Sequence, residues 1–151
     1  MSPREVSERI VREAPSLSPD DPVRAAVEAL LSSDLPALPV VGDRGLAGIF
    51  GEREFFAALF PGYVGELSSA SFVPRVLDVA LEKRAACAAE PVSQHMLTER
   101  VEVSGDYSDV QVAETFLHHR VLIVPVLEDR QVVGVITRGE FFHRLAERFL
   151  E

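Results

Sequence analysis

The sequence predicts an α/β (α+β) fold in which two β-α-β-β-α motifs pack with pseudo-twofold symmetry, with a helical insert between them. Three observations lead to this prediction. The second half of the chain repeats the first at an offset of 86 residues. Each copy contains two short apolar runs joined by a polar turn, which is typical of a hairpin. Segments with helical spacing of apolar residues lie before and after each hairpin.

The repeat is clearest where Leu38–Phe50 aligns with Val124–Ile136 without a gap. It continues to residue 59, and nine of the 22 aligned positions from residue 38 onwards are identical. In the segment before the hairpin the best offset is 87, which aligns Val23 with Val110. One-residue gaps that compensate at the two ends of this segment indicate loops on either side of a helix. A half of about 60 residues is marginal alone, so we expect the two halves to bury their sheets against each other.

The first elements of each copy are a short strand and a helix. The opening strand is predicted at Leu17 in the first copy and within Val101–Val103 in the second. In the first copy the helix follows residues 18–22, Ser-Pro-Asp-Asp-Pro, whose Ser and Asp side chains can accept from free amides and whose final Pro suits the first turn. The sequence therefore predicts that the first helix begins near Val23.

The hairpin and a closing helix complete each copy. The hairpin strands are predicted at 37–41 and 46–50 and again at 123–127 and 132–136. In the closing helices Phe55 precedes Leu59, and Phe141 precedes Leu145, by four residues. Residues four apart lie on the same helix face, so we expect these two pairs to face the core.

Between the copies lies a segment that is too apolar for a free linker. It predicts a helix over roughly residues 74–89 that packs against the rest of the module, with Pro74 in the first turn. The expected organisation is a first motif at 1–60, an insert at 61–90 and a second motif at 91–151, within one compact module.

Composition and charge exclude several functions. The formal net charge of −9 disfavours DNA, RNA and anionic membranes as partners. No apolar run reaches the ~18 residues of a membrane span, and the N-terminus lacks the pattern of a signal peptide. The single cysteine, Cys87, cannot form an intrachain disulfide and is expected to be a buried thiol. We therefore expect a soluble cytoplasmic protein.

The repeated pattern resembles the cystathionine β-synthase (CBS) domain. The residues that carry the resemblance are Leu-Pro-Val-Val at 38–41 and Gly-Ile at 48–49, with Val-Pro-Val at 124–126 and Gly-Val-Ile-Thr at 134–137. Two copies in one chain resemble a tandem CBS pair, or Bateman module. The resemblance implies two clefts that can bind adenine nucleotides or adenosyl ligands, pairing into disc-shaped dimers, and transmission of ligand occupancy to a partner.

The family typically holds the ribose hydroxyls with a Thr or Ser followed three positions later by Asp. The second copy offers Thr137 and Glu140, and the first offers Gly51 and Glu54, where the hydroxyl is also lost. The resemblance therefore favours the cleft near Thr137 as the ligand site. Thr-x-x-Glu is also the pattern of a helix capping box, and the two roles can coexist.

Five further residues are candidates for this site because of where they stand in the second copy. Arg138, at the start of the last helix, and Arg120, just before the second copy's hairpin, could meet a phosphate. Val124 and Pro125 would flank a base, and Val103 could line the floor of the cleft. For the two arginines the alternative is solvated surface charge, and for the other three residues it is the core.

Catalytic and metal-binding patterns are missing from the sequence. His118 and His119 are neighbours on a helix and point about 100° apart, which does not suit joint metal binding. No nucleophile elbow, phosphate loop or zinc-protease motif occurs. We therefore expect neither an enzyme nor a required cofactor; an adenine nucleotide or adenosyl ligand is the possible exception.

The closing helices contain adjacent phenylalanines, which cannot both point into one small core from an ordinary helix. We assign Phe56, Phe60, Phe142 and Phe149 to a homodimer interface. The alternative is that the insert covers these rings. Two functions remain open: a stand-alone regulatory module that senses an adenosine-containing ligand and signals to a partner, and a protein-interaction or dimerisation module whose ligand site is degenerate and binds no nucleotide.

Overall fold

The computed structural model describes residues 2–61 and 76–151, and within them it confirms the predicted mixed fold of two copies. The helices are α1 (Val23–Ser33), α2 (Glu52–Leu59), α3 (Leu77–Lys83), α4 (Asp109–His118) and α5 (Arg138–Leu150). The strands are β1 (Ala37–Gly42), β2 (Gly45–Gly51), β3 (Val103–Ser104), β4 (Ile123–Glu128) and β5 (Gln131–Thr137). Short 3₁₀ turns lie at Ser7–Ile10, Ala85–Ala89 and Val92–Gln94.

The strand pairing in the two sheets follows the sequence repeat. Strands β1 and β2 form one antiparallel hairpin, and β4 and β5 form the other. The opening strand β3 pairs in parallel with β4 through Val103 and Val126. In the first copy this strand shrinks to a single parallel bridge between Leu17 and Val40, at the positions 86 residues earlier. The predicted opening strands therefore occupy equivalent places, although only the second is long enough to be a strand.

The halves are joined by a crossed exchange of backbone pairing. Arg12, in the leading segment of the first copy, pairs with Val135 of β5 through amide-to-carbonyl bonds of 2.9 and 2.8 Å. Leu97, in the leading segment of the second copy, pairs with Ile49 of β2 through bonds of 3.0 and 2.8 Å. Each leading segment is thus bound to the last strand of the other copy, and the two copies cannot separate without losing these bonds.

Glycine makes this close approach possible. A Cβ at Gly134 would lie 2.7 Å from the carbonyl oxygen of Arg12, and a Cβ at Gly48 would lie 2.4 Å from that of Leu97. Both distances are far inside van der Waals contact, so any side chain here would push the leading segment away from the strand. The repeated Gly of the motif is required because another backbone crosses it.

Asp109 in the first turn of α4 holds the N-terminal segment to the second copy. Its Oδ1 accepts from the amide of Ser7 at 2.8 Å and from the Ser7 hydroxyl at 2.6 Å. Its Oδ2 accepts from the amide of Val6 at 2.9 Å. Ser7 is fully buried, so the carboxylate satisfies polar groups that have left water.

Helix α1 begins at Val23 as predicted, but its first amide is satisfied differently. The carboxylate of Asp21 accepts from the amide of Ser18 at 2.8 Å and so stabilises the preceding turn rather than the helix. Pro22 is the N-cap residue and makes no side-chain cap. The amide of Val23 instead donates to the carbonyl of Glu90 at 2.9 Å, which ties α1 to the end of the insert.

The helix predicted over 74–89 is wrong as a single element, and Pro74 lies outside the described residues. The helix α3 ends at Lys83, and Ala85–Ala89 forms a 3₁₀ turn. The helix is interrupted at Arg84, whose backbone is not in helical geometry. The Nε of Arg84 donates to the carbonyl of Ala58 at 2.9 Å, which holds the side chain against α2. The predicted packing is observed: Cys87 is buried in the shared core, and burial raises the pKa of its thiol.

One buried core receives residues from both copies, including Phe50, Leu38, Ile123 and Ile136. Among the predicted inward residues of the closing helices, Phe141 is buried, whereas Phe55 and Leu59 are half-buried. The inward prediction is wrong for Leu145, which is 43% exposed because only the start of α5 lies against the sheet.

None of the helices in the described ranges combines the length and hydropathy that a membrane span requires.

The crossed pairing predicts opposite effects for two glycines of the second copy. Gly134→Ala should lower the free energy of unfolding by about 1–3 kcal/mol, because the new methyl meets backbone that cannot move aside easily. Gly139→Ala, in the exposed first turn of α5 with nothing within 4 Å of its Cβ, should raise it by up to about 1 kcal/mol. Urea unfolding of both variants measures this, and equal stabilities would contradict the close approach.

The Asp109 contacts predict a second stability effect. Asp109→Ala should cost about 2–3 kcal/mol in unfolding free energy, because buried Ser7 loses a charged acceptor. The matched control is Asp106→Ala, whose side chain is fully exposed and lies 3.9 Å from Arg4; it should change stability by less than about 0.5 kcal/mol. Thermal unfolding monitored by circular dichroism distinguishes the two, and a silent Asp109→Ala would show that the N-terminal segment adds no stability.

Candidate functional site

The predicted ligand turn of the second copy lies at the junction of β5 and α5. Thr137 is 5% exposed and is the N-cap residue of α5, where its Oγ1 accepts from the amide of Glu140 at 3.2 Å. The Glu140 carboxylate does not complete a capping box. Its Oε1 instead accepts from Nη1 of Arg12 at 3.2 Å, in the leading segment of the first copy. Thr137 and Glu140 are therefore brought together, with a guanidinium beside them.

The equivalent turn of the first copy keeps the other half of the capping box. Gly51 has no side chain to cap α2, but Oε1 of Glu54 accepts from the Gly51 amide at 2.8 Å. Burial raises the pKa of the Glu54 carboxyl, and the bond from the Gly51 amide opposes this. Its carboxylate is therefore turned towards its own backbone, which leaves the first copy poorer in ligand-binding groups than the second.

The predicted cationic residues are at the surface. Arg138 and Arg120 are exposed, and neither side chain forms an ion pair with another described residue. The backbone of Arg138 is fixed, because its amide donates to the carbonyl of Leu122 at 2.9 Å. Glu52 makes the same bond to Pro36 at 3.0 Å in the first copy. Both arginines thus have guanidinium groups that a phosphate could approach.

The predicted apolar lining is in the core. Val124 and Pro125 of β4 are fully buried, and Val103 of β3 is nearly so. In this arrangement their side chains support the sheet from within. Their contact with a base remains a prediction, since only a ligand that enters deeply between the strands would touch them.

Two grooves include residues that sequence reasoning missed. One, of about 600 Å³, lies beside Glu54 and is lined by α2 and by His95, Met96 and Leu97 of the leading segment of the second copy. His95 is positioned by Nε2, which lies 2.9 Å from Oε1 of Glu90. The only sequence signal for this segment was the pairing of Val-Ser at 92–93 with Val-Ser at 6–7 in the repeat.

The other groove, of about 370 Å³, is polar and lies between β3 and α4. Its lining includes Glu102, Tyr107, His118 and His119. His119 Nδ1 lies 2.8 Å from Oε1 of Glu99. Residues 2–61 and 76–151 contain no group of three His, Cys, Asp or Glu side chains arranged to hold a metal.

The predicted interface phenylalanines are mostly exposed. Phe56 is 58% exposed on α2, and Phe142 and Phe149 are 68% and 86% exposed on α5. Phe60 is the C-cap residue that follows α2; it is half-buried, and its amide donates to the carbonyl of Phe56 at 2.9 Å. The described part of the insert does not cover the α5 rings, so the closing helices present aromatic surface to the outside.

Comparison with known proteins agrees with the repeat and the topology. The family model described as the CBS domain matches residues 5–61 and 92–147. No curated protein matches the chain.

Similar solved structures share this fold. A CBS-domain containing protein from Agrobacterium tumefaciens is 22% identical, covers 93% of this chain and 90% of its own, and has a TM-score of 0.68. A CBS domain-containing protein of unknown function from Kribbella flavida is 24% identical, with 93% and 97% covered and a TM-score of 0.66. CBSX2, solved in complex with AMP, is 19% identical, with 97% and 98% covered and a TM-score of 0.65. The chain therefore belongs to the CBS-domain family and consists of two CBS domains in tandem.

Proposed function

We propose that this CBS pair is a regulatory module that binds an adenosine-containing ligand in the cleft at Thr137 and Glu140 and signals its occupancy to a partner. The observation that carries the proposal is the β5–α5 turn. At this turn the Thr137 hydroxyl accepts from the backbone amide of Glu140, and the Glu140 carboxylate bonds to Arg12, in the segment of the other copy that crosses here. The AMP held by CBSX2, which has the same fold, supports this class of ligand.

The chemistry of the turn suits a ribose. A carboxylate accepts from two hydroxyl donors at once, and such charge-assisted bonds are about twice as strong as neutral ones. Glu140 has one methylene more than the Asp that the family typically uses, and this moves the carboxylate by roughly 1.5 Å. The proposed ligand therefore sits displaced from the family position, with the Thr137 hydroxyl as a second contact.

The charge around the cleft favours a ligand with few phosphates. Arg138 and Arg120 would meet a phosphate, but the chain as a whole carries a net charge of −9. An AMP-like or adenosyl ligand fits this balance better than a triphosphate. In this proposal the base would have to enter between the strands to touch Val124, Pro125 and Val103, whose side chains are buried in the core.

The proposed output is conformational and non-catalytic. The units proposed from the sequence, at 1–60, 61–90 and 91–151, act as one module because the crossed backbone pairing links the two copies. A ligand at the seam contacts residues from both copies and can therefore change their relative positions. We also propose that the module is a homodimer, with Phe56, Phe60, Phe142 and Phe149 in its interface.

The second candidate is an interaction or dimerisation module with a degenerate ligand site. It is favoured by the exposed rings on α5 and by the departure of both turns from the family motif, with Gly51 in one and Glu140 in the other. In this case the same fold presents a surface to a protein partner without any nucleotide.

Ligand titration tests the first proposal. AMP, ADP, ATP, adenosine and S-adenosylmethionine should be compared by thermal shift. A ligand present at 100 times its dissociation constant adds about 2.7 kcal/mol of stability. We expect a shift with at least one of them and the smallest nucleotide effect with ATP. A folded protein whose melting temperature changes with none of these ligands would contradict the proposal. The interaction module would then be the remaining candidate function.

Matched variants locate the site in one copy. Glu140→Gln should weaken binding by about ten- to a hundredfold, because a charged acceptor is lost. Glu54→Gln, at the equivalent position of the first copy, should leave the affinity unchanged. Isothermal titration calorimetry with the ligand found above measures both, and the reverse result would move the site to the first copy.

The proposed dimer is tested on α5. Phe142→Asp should convert a dimer into a folded monomer, since a carboxylate would replace a ring in an apolar interface. Val110→Asp is the matched control, because Val110 is equally exposed but lies on α4 outside the proposed patch. Sedimentation velocity measures the oligomeric state of the wild type and of both variants. A monomeric wild type would contradict the proposed dimer.

A further inference from the structure

The contact between Arg12 and Glu140 links the proposed ligand cleft to the N-terminal segment. Glu140 occupies the position of the family's ribose-binding carboxylate, and its Oε1 is held by Arg12 Nη1 at 3.2 Å. The two side chains are 39% and 40% exposed. An ion pair with this exposure is weak, so a ligand that bonds well to the carboxylate can replace it.

Arg12 belongs to a segment that crosses onto the second copy at several points. Asp109 binds the amides of Val6 and Ser7, and the backbone of Arg12 pairs with Val135. The Arg12 side chain adds the contact that touches the proposed cleft. Loss of this contact would weaken one anchor of the segment while the other anchors remain.

Within residues 2–61 and 76–151 the Glu54 carboxylate of the first copy has no ion-pair equivalent of this contact. The residue that pairs with Ile49 as Arg12 pairs with Val135 is Leu97, which offers no cation, and the Glu54 carboxylate accepts from the backbone of Gly51 instead. The ion pair therefore marks the second cleft alone, the same cleft that retains the hydroxyl of the ligand motif at Thr137.

We propose that Arg12 is a latch on the second cleft: it occupies the Glu140 carboxylate until a ligand's hydroxyl groups displace it, and the loosened N-terminal segment carries the signal. The proposal rests on the proposed function, since it takes Glu140 as the ligand's acceptor. It assigns the output to residues 3–12, a segment that packs against the second copy through Asp109 and Val135.

The latch predicts that removing the cation strengthens binding. With AMP as the probe, Arg12→Gln should lower the dissociation constant about two- to fivefold, because the ligand no longer has to break an ion pair. The backbone pairing of Arg12 with Val135 does not depend on its side chain, so the variant should fold. Arg9→Gln, an exposed arginine of the same segment, controls for the general loss of positive charge and should leave the affinity unchanged.

A second readout follows the segment itself. By hydrogen–deuterium exchange, AMP should increase uptake in the peptide that covers residues 3–12 of the wild type. In Arg12→Gln the uptake should already be raised, and AMP should add little. Decreased uptake on adding AMP would overturn the latch, because it would mean that the segment closes over the ligand.

The outcomes separate the latch from the proposed function. If wild type binds AMP and Arg12→Gln binds it equally or more weakly, the latch is wrong and the proposed function stands; weaker binding would place Arg12 in direct contact with the phosphate. If wild type shows no binding but Arg12→Gln does, the latch is supported. If neither binds AMP or any other ligand of the titration, both the latch and the proposed function are wrong.

Discussion

The crossed pairing of each leading segment with the last strand of the other copy is the constraint on which this structure depends. Two short antiparallel bridges, Arg12 with Val135 and Leu97 with Ile49, bind one half to the other through backbone. They require Gly134 and Gly48, because a Cβ there would collide with the crossing carbonyl. Each sheet is too small to bury its own face, so this exchange and the shared core make two marginal halves one folding unit.

The same exchange decides where a ligand site can be. Each turn between the last strand and the closing helix lies beside a segment that belongs to the other copy. Arg12 lies beside Glu140 at the second turn, and His95, Met96 and Leu97 lie beside Glu54 at the first, so each turn is built from residues of both halves. In this chain the two turns have diverged: the second keeps Thr137, while in the first Glu54 bonds to its own backbone.

Local sequence patterns predicted most of the fold, but not the contacts that interrupt the insert helix or leave the end of α5 exposed. The hairpins, the start of α1 at Val23 and the opening strands are local features, since apolar alternation and turn residues encode them. The insert helix was predicted as one element because nothing in its alanine-rich sequence shows that Arg84 donates to the carbonyl of Ala58. Leu145 was placed in the core by its spacing, although α5 extends past the sheet that would bury it. Both errors concern partners that are distant in sequence.

The sequence by itself determined that the chain has two equivalent halves and which residues stand at the two equivalent turns between the last strand and the closing helix, because a repeat is visible without coordinates. Only the tertiary structure decided what those residues contact. The partner of Glu140 is Arg12, 128 residues away in the chain, and the acceptor for Ser7 is Asp109. Such pairs arise when the leading segment crosses to the other copy, and no periodicity within one copy reports on that crossing. The chemistry of the proposed cleft thus depends on a contact that the fold creates.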